Sequence, residues 1–380
     1  MRCEKAIILT GGWATRLRPL TCTIPKSLIP IVNKPVIERQ ILLLKAAGIN
    51  EIILAVSVMS DVVKNYFGNG EKLGINIKYT DEKHPLGTAG AIKLAEDHLK
   101  DENFFMLNGD VILNFDFKEM IKAHDRYKGI GLIASKIVPD PSRYGVLIVE
   151  QGTNKILKFL EKTEYTPAGG KLDPMPINAG VYLLQPEVFQ YIEPKKKVSI
   201  ERSVFPILAE EKKLYNYSIP GVWKDIGKPE ELLEANVLLM NDILKNLQNG
   251  KENLIDESLD VEGKVSIRPP IAIGEKVVIR KNCQIGPNVI IGDNVYIGAN
   301  AEIKDTLIYN EAYISENVKC EKAIIADNCL LHDGVQLVGK NENLVILSSF
   351  VEVLDNVSLI APPNSSLSVC HHDVVRLDVD

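Results

Sequence analysis

Short apolar runs alternate with helical stripes over the first 130 or so residues. Strands are predicted over 6–9, 52–56, 75–79 and 104–107. Between the first two, Val36, Ile37, Ile41, Leu44 and Ala47 recur at helical spacing. With Pro35 in its first turn and Gly48 just past its end, this stripe predicts a helix over 35–47. Further helices are predicted over 61–67 and 88–98. Repeated βα units imply a mostly parallel sheet with helices on both faces, and such sheets bind ligands at the carboxyl ends of their strands. From about residue 131 to 223 the chain is richer in strands, with GLIASKI, GVLIVE, KILKFLEK and NAGVYLL as β-type runs and helices expected over 200–212 and 230–245.

Residues 246–264 are polar, lack periodicity and read as a linker. Beyond them Ile273, Ile279, Ile285, Ile291, Ile297 and Ile303 recur at a fixed step of six. Gly274, Gly286, Gly292 and Gly298 follow four of these, and are expected to let the chain turn its corners. Val277, Cys283, Val289, Val295 and Ala301 supply a second small or apolar position. A period of six fits neither an amphipathic helix nor a plain strand; it is the hexapeptide signature of a parallel β-helix. The hexapeptide-repeat family that this pattern resembles implies a left-handed coil with three repeats per turn. After Ile303 the register blurs, although Ile324, Ile325, Val345, Ile346 and Val351 keep the apolar pattern. The expected organisation is a catalytic domain over 1–245, a linker over 246–264 and a left-handed β-helix over 265–380.

The remaining composition narrows the partners. At 380 residues the chain is long enough for two domains, and a net charge of −6 argues against general nucleic-acid or membrane binding. Anionic substrates would need local cations or a metal. Six cysteines show neither a C-x-x-C pair nor a disulfide framework, which fits a reducing compartment. The N-terminus has no signal-peptide pattern and no stretch is apolar and long enough to span a bilayer, so a cytoplasmic protein is expected.

The segment KAIILTGGWATRLRPLTCTIPKSLIP, residues 5–30, carries the chemistry. Its loop holds Thr15, Arg16, Arg18 and Lys26 and no acid. Small residues let backbone N–H groups approach a phosphate, and the cations neutralise it. The loop is neither a Walker A sequence nor G-x-G-x-x-G. It closely resembles the signature of the sugar-phosphate nucleotidyltransferases, GG-x-G-T-R-L-R-P-L-T followed by P-K. Ala14 stands where the commonest form of that motif has glycine, so a positive φ there would strain it.

The resemblance implies an α/β fold, a Rossmann-like mixed and mostly parallel sheet domain before the β-helix, and a Mg2+-dependent reaction. A nucleoside triphosphate meets a hexose 1-phosphate, and pyrophosphate leaves. The attacking phosphate oxygen is already ionised, so catalysis rests on charge neutralisation and in-line positioning. NGDV at 108–111 and DIG at 225–227 match the family's metal-binding segments, which implies Asp110 and Asp225 as metal ligands. Arg16 is implied as the cation for the triphosphate and leaving pyrophosphate, and Lys26 for the α-phosphate region. Arg18 is either a further cation or structural. Lys162, in FLEK, is implied for the sugar phosphate, with Thr163 replacing the family's proline after it. The catalytic set is therefore Arg16, Lys26, Asp110, Lys162 and Asp225. Leu9, Gly11, Gly12, Thr15, Gly87 and Thr88 are implied for the nucleotide; Gly145, Glu161, Lys162 and Asn178 for the sugar phosphate.

LGTAGA, DPSRYGV and the long tail look most like the guanylyl-transferring branch of the family, with GTP and mannose 1-phosphate as substrates. UTP, dTTP or ATP with glucose 1-phosphate is the alternative. A non-catalytic regulatory subunit is a second alternative, but none of the five charged residues is missing. Acyl transfer by the β-helix would require a base from His332, His371 or His372. The β-helix is expected instead to pack a homo-oligomer.

Overall fold

The computed structural model describes residues 3–162, 164–165, 173–247 and 250–376. It divides into two compact units, Met1–Gly12 with Val36–Lys224, and Trp13–Pro35 with Asp225–Asp380. The loop carrying Arg16 and Lys26 thus groups with the C-terminal half of the chain.

The first unit is built on a nine-stranded mixed sheet. Lys5–Leu9 lies between Glu51–Val56 and Phe104–Asn108, parallel to both, and Asn76–Asp81 extends that parallel half. Ile7, Ile8 and Phe104–Leu107 are fully buried, because this central region has helices to cover it. Each such side chain contributes roughly 1.5–3 kcal/mol. Met175–Leu184 runs antiparallel to Phe104–Asn108 and leads into an antiparallel half with Gly131–Val138 and Val146–Val149. A separate two-stranded ribbon joins Val111–Asn114 and Val222–Asp225.

Three helices differ from expectation. Lys34–Pro35 forms a short strand, so the first helix is Val36–Ala46 and Pro35 precedes it. The helix expected over 88–98 is two pieces, Gly87–Leu94 and Glu96–Leu99. That expected over 200–212 is also two, Ile200–Ser203 and Phe205–Glu210, because Pro206 has no N–H to continue the first and instead opens the second.

The second unit is a parallel β-helix with the helix Pro229–Asn246 and the loop of residues 13–35. Parallel pairing begins at Leu254–Ile255 and Asp260–Val261, inside the stretch read as a linker. The inward column holds Ile273, Ile279, Ile285, Ile291, Ile297 and Ile303 together with Val277, Cys283, Val289, Val295 and Ala301, all buried in one core. Ile271 pairs with Val289, eighteen residues on, but Val289 pairs with Thr306 and Thr306 with Ala323, seventeen on each time. One side of each later coil is thus a residue short, and Ala323 then pairs with Val345 across an insertion. These changes are why the step of six fades after Ile303.

Of the four glycines only Gly286, with φ +102°, turns the chain as expected. Gly274, Gly292 and Gly298 have ordinary φ, and a Cβ on any of them would lie 2.2–2.6 Å from the neighbouring coil. They provide close stacking. The left-handed corner residues come two positions later, at Lys276, Asn288, Asn294 and Asn300. Asparagine tolerates that conformation and its amide also ladders between coils, as in Asn282 to Asn300 to Asn317 at 3.2 and 3.0 Å.

Candidate active site

In the first unit the turn after Phe104–Asn108 sits against the end of the first strand. The Gly109 N–H donates to the Leu9 carbonyl at 2.9 Å, and a Cβ on Gly109 would lie 2.7 Å from that oxygen. Only glycine allows this approach. Asp110, half-buried, follows directly. Gln40 fixes the turn from below, donating through Nε2 to the carbonyls of Asn108 and Val111 at 2.9 Å each.

Gly180, with φ +71°, closes on the same turn; a Cβ there would stand 2.7 Å from Asn108 Nδ2. Two residues earlier, Asn178 donates its backbone N–H to the Gly145 carbonyl at 2.8 Å and its side-chain amide to Tyr182 at 2.8 Å. Tyr182 donates to Glu201 at 3.4 Å. Glu201 also accepts from the hydroxyls of Thr88 and Ser199, at 2.6 Å each. Burial, reinforced by the Glu201 charge, drives the Tyr182 phenol well above its ordinary pKa and keeps it a proton donor. Leu9, Asp110, Gly145 and Asn178 are therefore joined at one sheet edge, with Thr88 reached through Tyr182 and Glu201.

Some expected residues have packing duties. The Thr88 hydroxyl accepts from the Ile200 N–H at 2.9 Å as well as donating to Glu201. A Cβ on Gly87 would lie 2.5 Å from the Val198 carbonyl. Glu161 has Arg202 at 3.9 Å, and Lys162 is exposed. The substitution at Thr163 lies outside the described residues. Gly11 and Gly12 are exposed, and Gly12 has φ +117°.

The remaining candidates lie in the second unit. Three short 3-10 turns, Thr15–Leu17, Leu20–Cys22 and Lys26–Leu28, carry the loop. Leu17, Leu20, Leu28 and Ile29 are buried beneath it, while Thr15, Arg16 and Arg18 stay exposed. Lys26 Nζ is 3.8 Å from Asp225 Oδ1. Asp225 therefore faces a place that accepts positive charge, as a metal-binding carboxylate must. Among the described residues no group of three or more His, Cys, Asp or Glu forms a metal cage. Asp225 supplies a hard carboxylate oxygen of the kind magnesium prefers, an ion that keeps waters and substrate phosphates as its other ligands. His332 pairs with Glu352 at 2.8 Å at the surface of the β-helix.

The sequence reading missed Gln40, Glu201 and Tyr182. Gln40 left one sign: it is a polar residue four positions from both Val36 and Leu44, inside the apolar stripe. Glu201 left none, since its partners Thr88 and Tyr182 lie 113 and 19 residues away and only Ser199 is close by.

A mixed, mostly parallel sheet in one unit and a parallel β-helix in the other define the architecture. The chain belongs to the Nucleotidyl transferase family, which matches residues 5–242. Residues 252–373 match the GMPPB C-terminal domain. The "Mannose-1-phosphate guanyltransferase" of Saccharomyces cerevisiae is 45% identical over 63% of this chain and 66% of its own length. The "Probable mannose-1-phosphate guanylyltransferase 3" of Oryza sativa subsp. japonica is 37% identical over 93% of both chains. Among solved structures, HddC from Yersinia pseudotuberculosis is similar with a TM-score of 0.53 and 27% identity, covering 61% of this chain and 98% of that one.

Proposed function

We propose that the protein joins GTP to mannose 1-phosphate, giving GDP-mannose and pyrophosphate, with residues 1–245 as its catalytic domain. A phosphate oxygen of the sugar forms a bond to the α-phosphorus; the bond from that phosphorus to the β-phosphate bridge breaks, and pyrophosphate leaves. Arg16 neutralises the triphosphate, Lys26 the α-phosphate, and Lys162 the sugar phosphate. Leu9, Gly11, Gly12, Thr15, Gly87 and Thr88 line the nucleotide subsite; Gly145, Glu161 and Asn178 line the sugar subsite. Asp110 and Asp225 would hold Mg2+, which supplies charge neutralisation on the phosphates. The observation that carries the reaction class is the loop with exposed Arg16 and with Lys26 set 3.8 Å from Asp225. The choice of GTP and mannose 1-phosphate is supported by the relatives, and by a complex of HddC with GMP-PN.

The test is pyrophosphate release by the purified chain with Mg2+, four nucleoside triphosphates, and mannose or glucose 1-phosphate. GTP with mannose 1-phosphate is expected to be the preferred pair. Preference for UTP, dTTP or ATP with glucose 1-phosphate moves the chain to the alternative substrate class. Nucleotide-sugar binding without turnover on any pair makes it a regulatory subunit. Asp110→Asn is expected to lower turnover about a hundredfold or more; unchanged turnover removes Asp110 from the metal site.

No helix among the described residues is long and apolar enough to cross a membrane. A cytoplasmic location is part of this proposal, and Cys3, Cys22, Cys283, Cys320, Cys329 and Cys370 are free thiols. A homo-oligomer through the β-helix is supported by an outward stripe of Val278, Tyr296, Tyr313 and Leu330, aligned coil to coil. A strict monomer in light scattering would dismiss it.

A further inference from the structure

The loop bearing Arg16 and Lys26 has little structure of its own. Its 3-10 turns have three residues each and no side-chain caps, and such turns are weak in isolation. Between the two cations lie Pro19 and Thr23. The Pro19 carbonyl accepts from the Ser348 hydroxyl at 2.9 Å, and the Thr23 hydroxyl pairs with that of Ser349 at 3.1 Å. Further along, Asn33 donates to the Ile291 carbonyl at 2.7 Å. All three anchors belong to the β-helix, and they lie along one of its corners.

That corner shows a departure from the repeat. Successive coils place Glu275, Asp293, Asn310, Asp327 and Ser349 in one column, each left-handed residue that follows bonding back to the column one coil earlier. Asp293, Asn310 and Asp327 accept from the backbone N–H of the preceding coil's column residue, at 2.8, 2.8 and 3.1 Å. Ser349 stands where the next acceptor belongs, yet its hydroxyl meets the loop. In the adjoining column, Gly274, Gly292, Tyr309 and Ala326 are followed by Ser348, which is 0% exposed, and Ser349 is 3% exposed. A buried hydroxyl costs free energy unless it is paired, and both are paired to the loop.

Resting on the proposed nucleotide role of the loop, we infer that this corner of the β-helix is a clamp: Ser348 and Ser349 are positioning residues that set Arg16 and Lys26 for the triphosphate. The β-helix then acts in the transferase reaction by ordering its nucleotide subsite.

The experiment uses the full chain and compares Ser348→Ala, Ser349→Ala, Thr23→Val and Thr23→Ser. Two readouts are taken: steady-state constants for each substrate, and amide hydrogen exchange over residues 14–28. Losing one buried hydrogen bond of about 1 kcal/mol corresponds to roughly fivefold. Ser348→Ala is expected to lower kcat/KM for the nucleotide about fivefold with KM for the sugar phosphate unchanged, and to speed exchange in 14–28 but not in 271–325. Thr23→Val should act likewise, Thr23→Ser should restore the wild-type values, and Ser349→Ala should add nothing to Thr23→Val. Thr23→Val also stands in should Ser348→Ala not fold. Wild-type exchange over 14–28 in these variants overturns the clamp, whatever the wild-type chain catalyses. Equal loss for both substrates, without a change in exchange confined to the loop, overturns it too. A wild-type chain that releases no pyrophosphate overturns the proposed activity instead, and the exchange data still judge the clamp.

Discussion

Ala14 adopts φ +44° and ψ +43°, the left-handed conformation, at the start of the first loop turn. An L side chain there costs roughly 1–2 kcal/mol, and glycine would give back about 0.5–1 kcal/mol of that through its freer unfolded chain. Ala14→Gly is therefore expected to stabilise the protein by about 0.5–1 kcal/mol in denaturant titrations. A loss of stability would mean that the methyl group packs to advantage. The sequence marked this position through the motif's glycine, but only the backbone angle decides whether alanine is strained there. Val32 is a similar case with no sequence mark. It has φ +48°, unusual for a β-branched residue, and its N–H donates to buried Asn236 at 2.7 Å. Asp110 and Lys26 could be proposed from the sequence because their neighbours form motifs. Gln40 and Glu201 were not, because their roles exist only once distant segments meet.

Within the β-helix, the inward column was legible since stacking requires the same side-chain type every six residues. The chemistry of its corners was not, because a glycine beside an isoleucine serves close stacking equally well as turning. The acceptor ladder makes a prediction there. Asp327 accepts from the Asn310 N–H, and burial raises its carboxyl pKa above the ordinary 3.8. Burial thus disfavours the charged form more in the fold than in the unfolded chain. Its stabilising contribution is fully present below the unfolded pKa and is lost as pH rises through the higher folded one. Asparagine keeps the acceptor oxygen and does not titrate. The advantage of Asp327→Asn over wild type in melting temperature should therefore grow from about pH 3.5 to about pH 7. A difference that shrinks over that range would mean that the ladder stabilises the carboxylate despite its burial.

Three crossings of the chain link the two units, at residues 12–13, 35–36 and 224–225. The first two deliver the loop of residues 13–35, whose ends continue into the first unit while its anchoring hydrogen bonds go to the β-helix. Melting the β-helix must release those bonds. Its cysteines report the event: Cys283, Cys320 and Cys329 are buried, and burial pushes the thiols of Cys320 and Cys329 up to about 12. At neutral pH such thiols are almost wholly protonated and sterically shielded, so they react with a disulfide reagent only when the coils open. Cys370 is exposed and labels at once, giving an internal standard. In a urea series, labelling of Cys320 and Cys329 and loss of pyrophosphate release are expected to share one midpoint, because the loop loses its supports when the coils part. Turnover that survives full labelling of these two cysteines would show a loop that keeps its shape unaided, and the β-helix would then be a separate module with no part in arranging the phosphate cations.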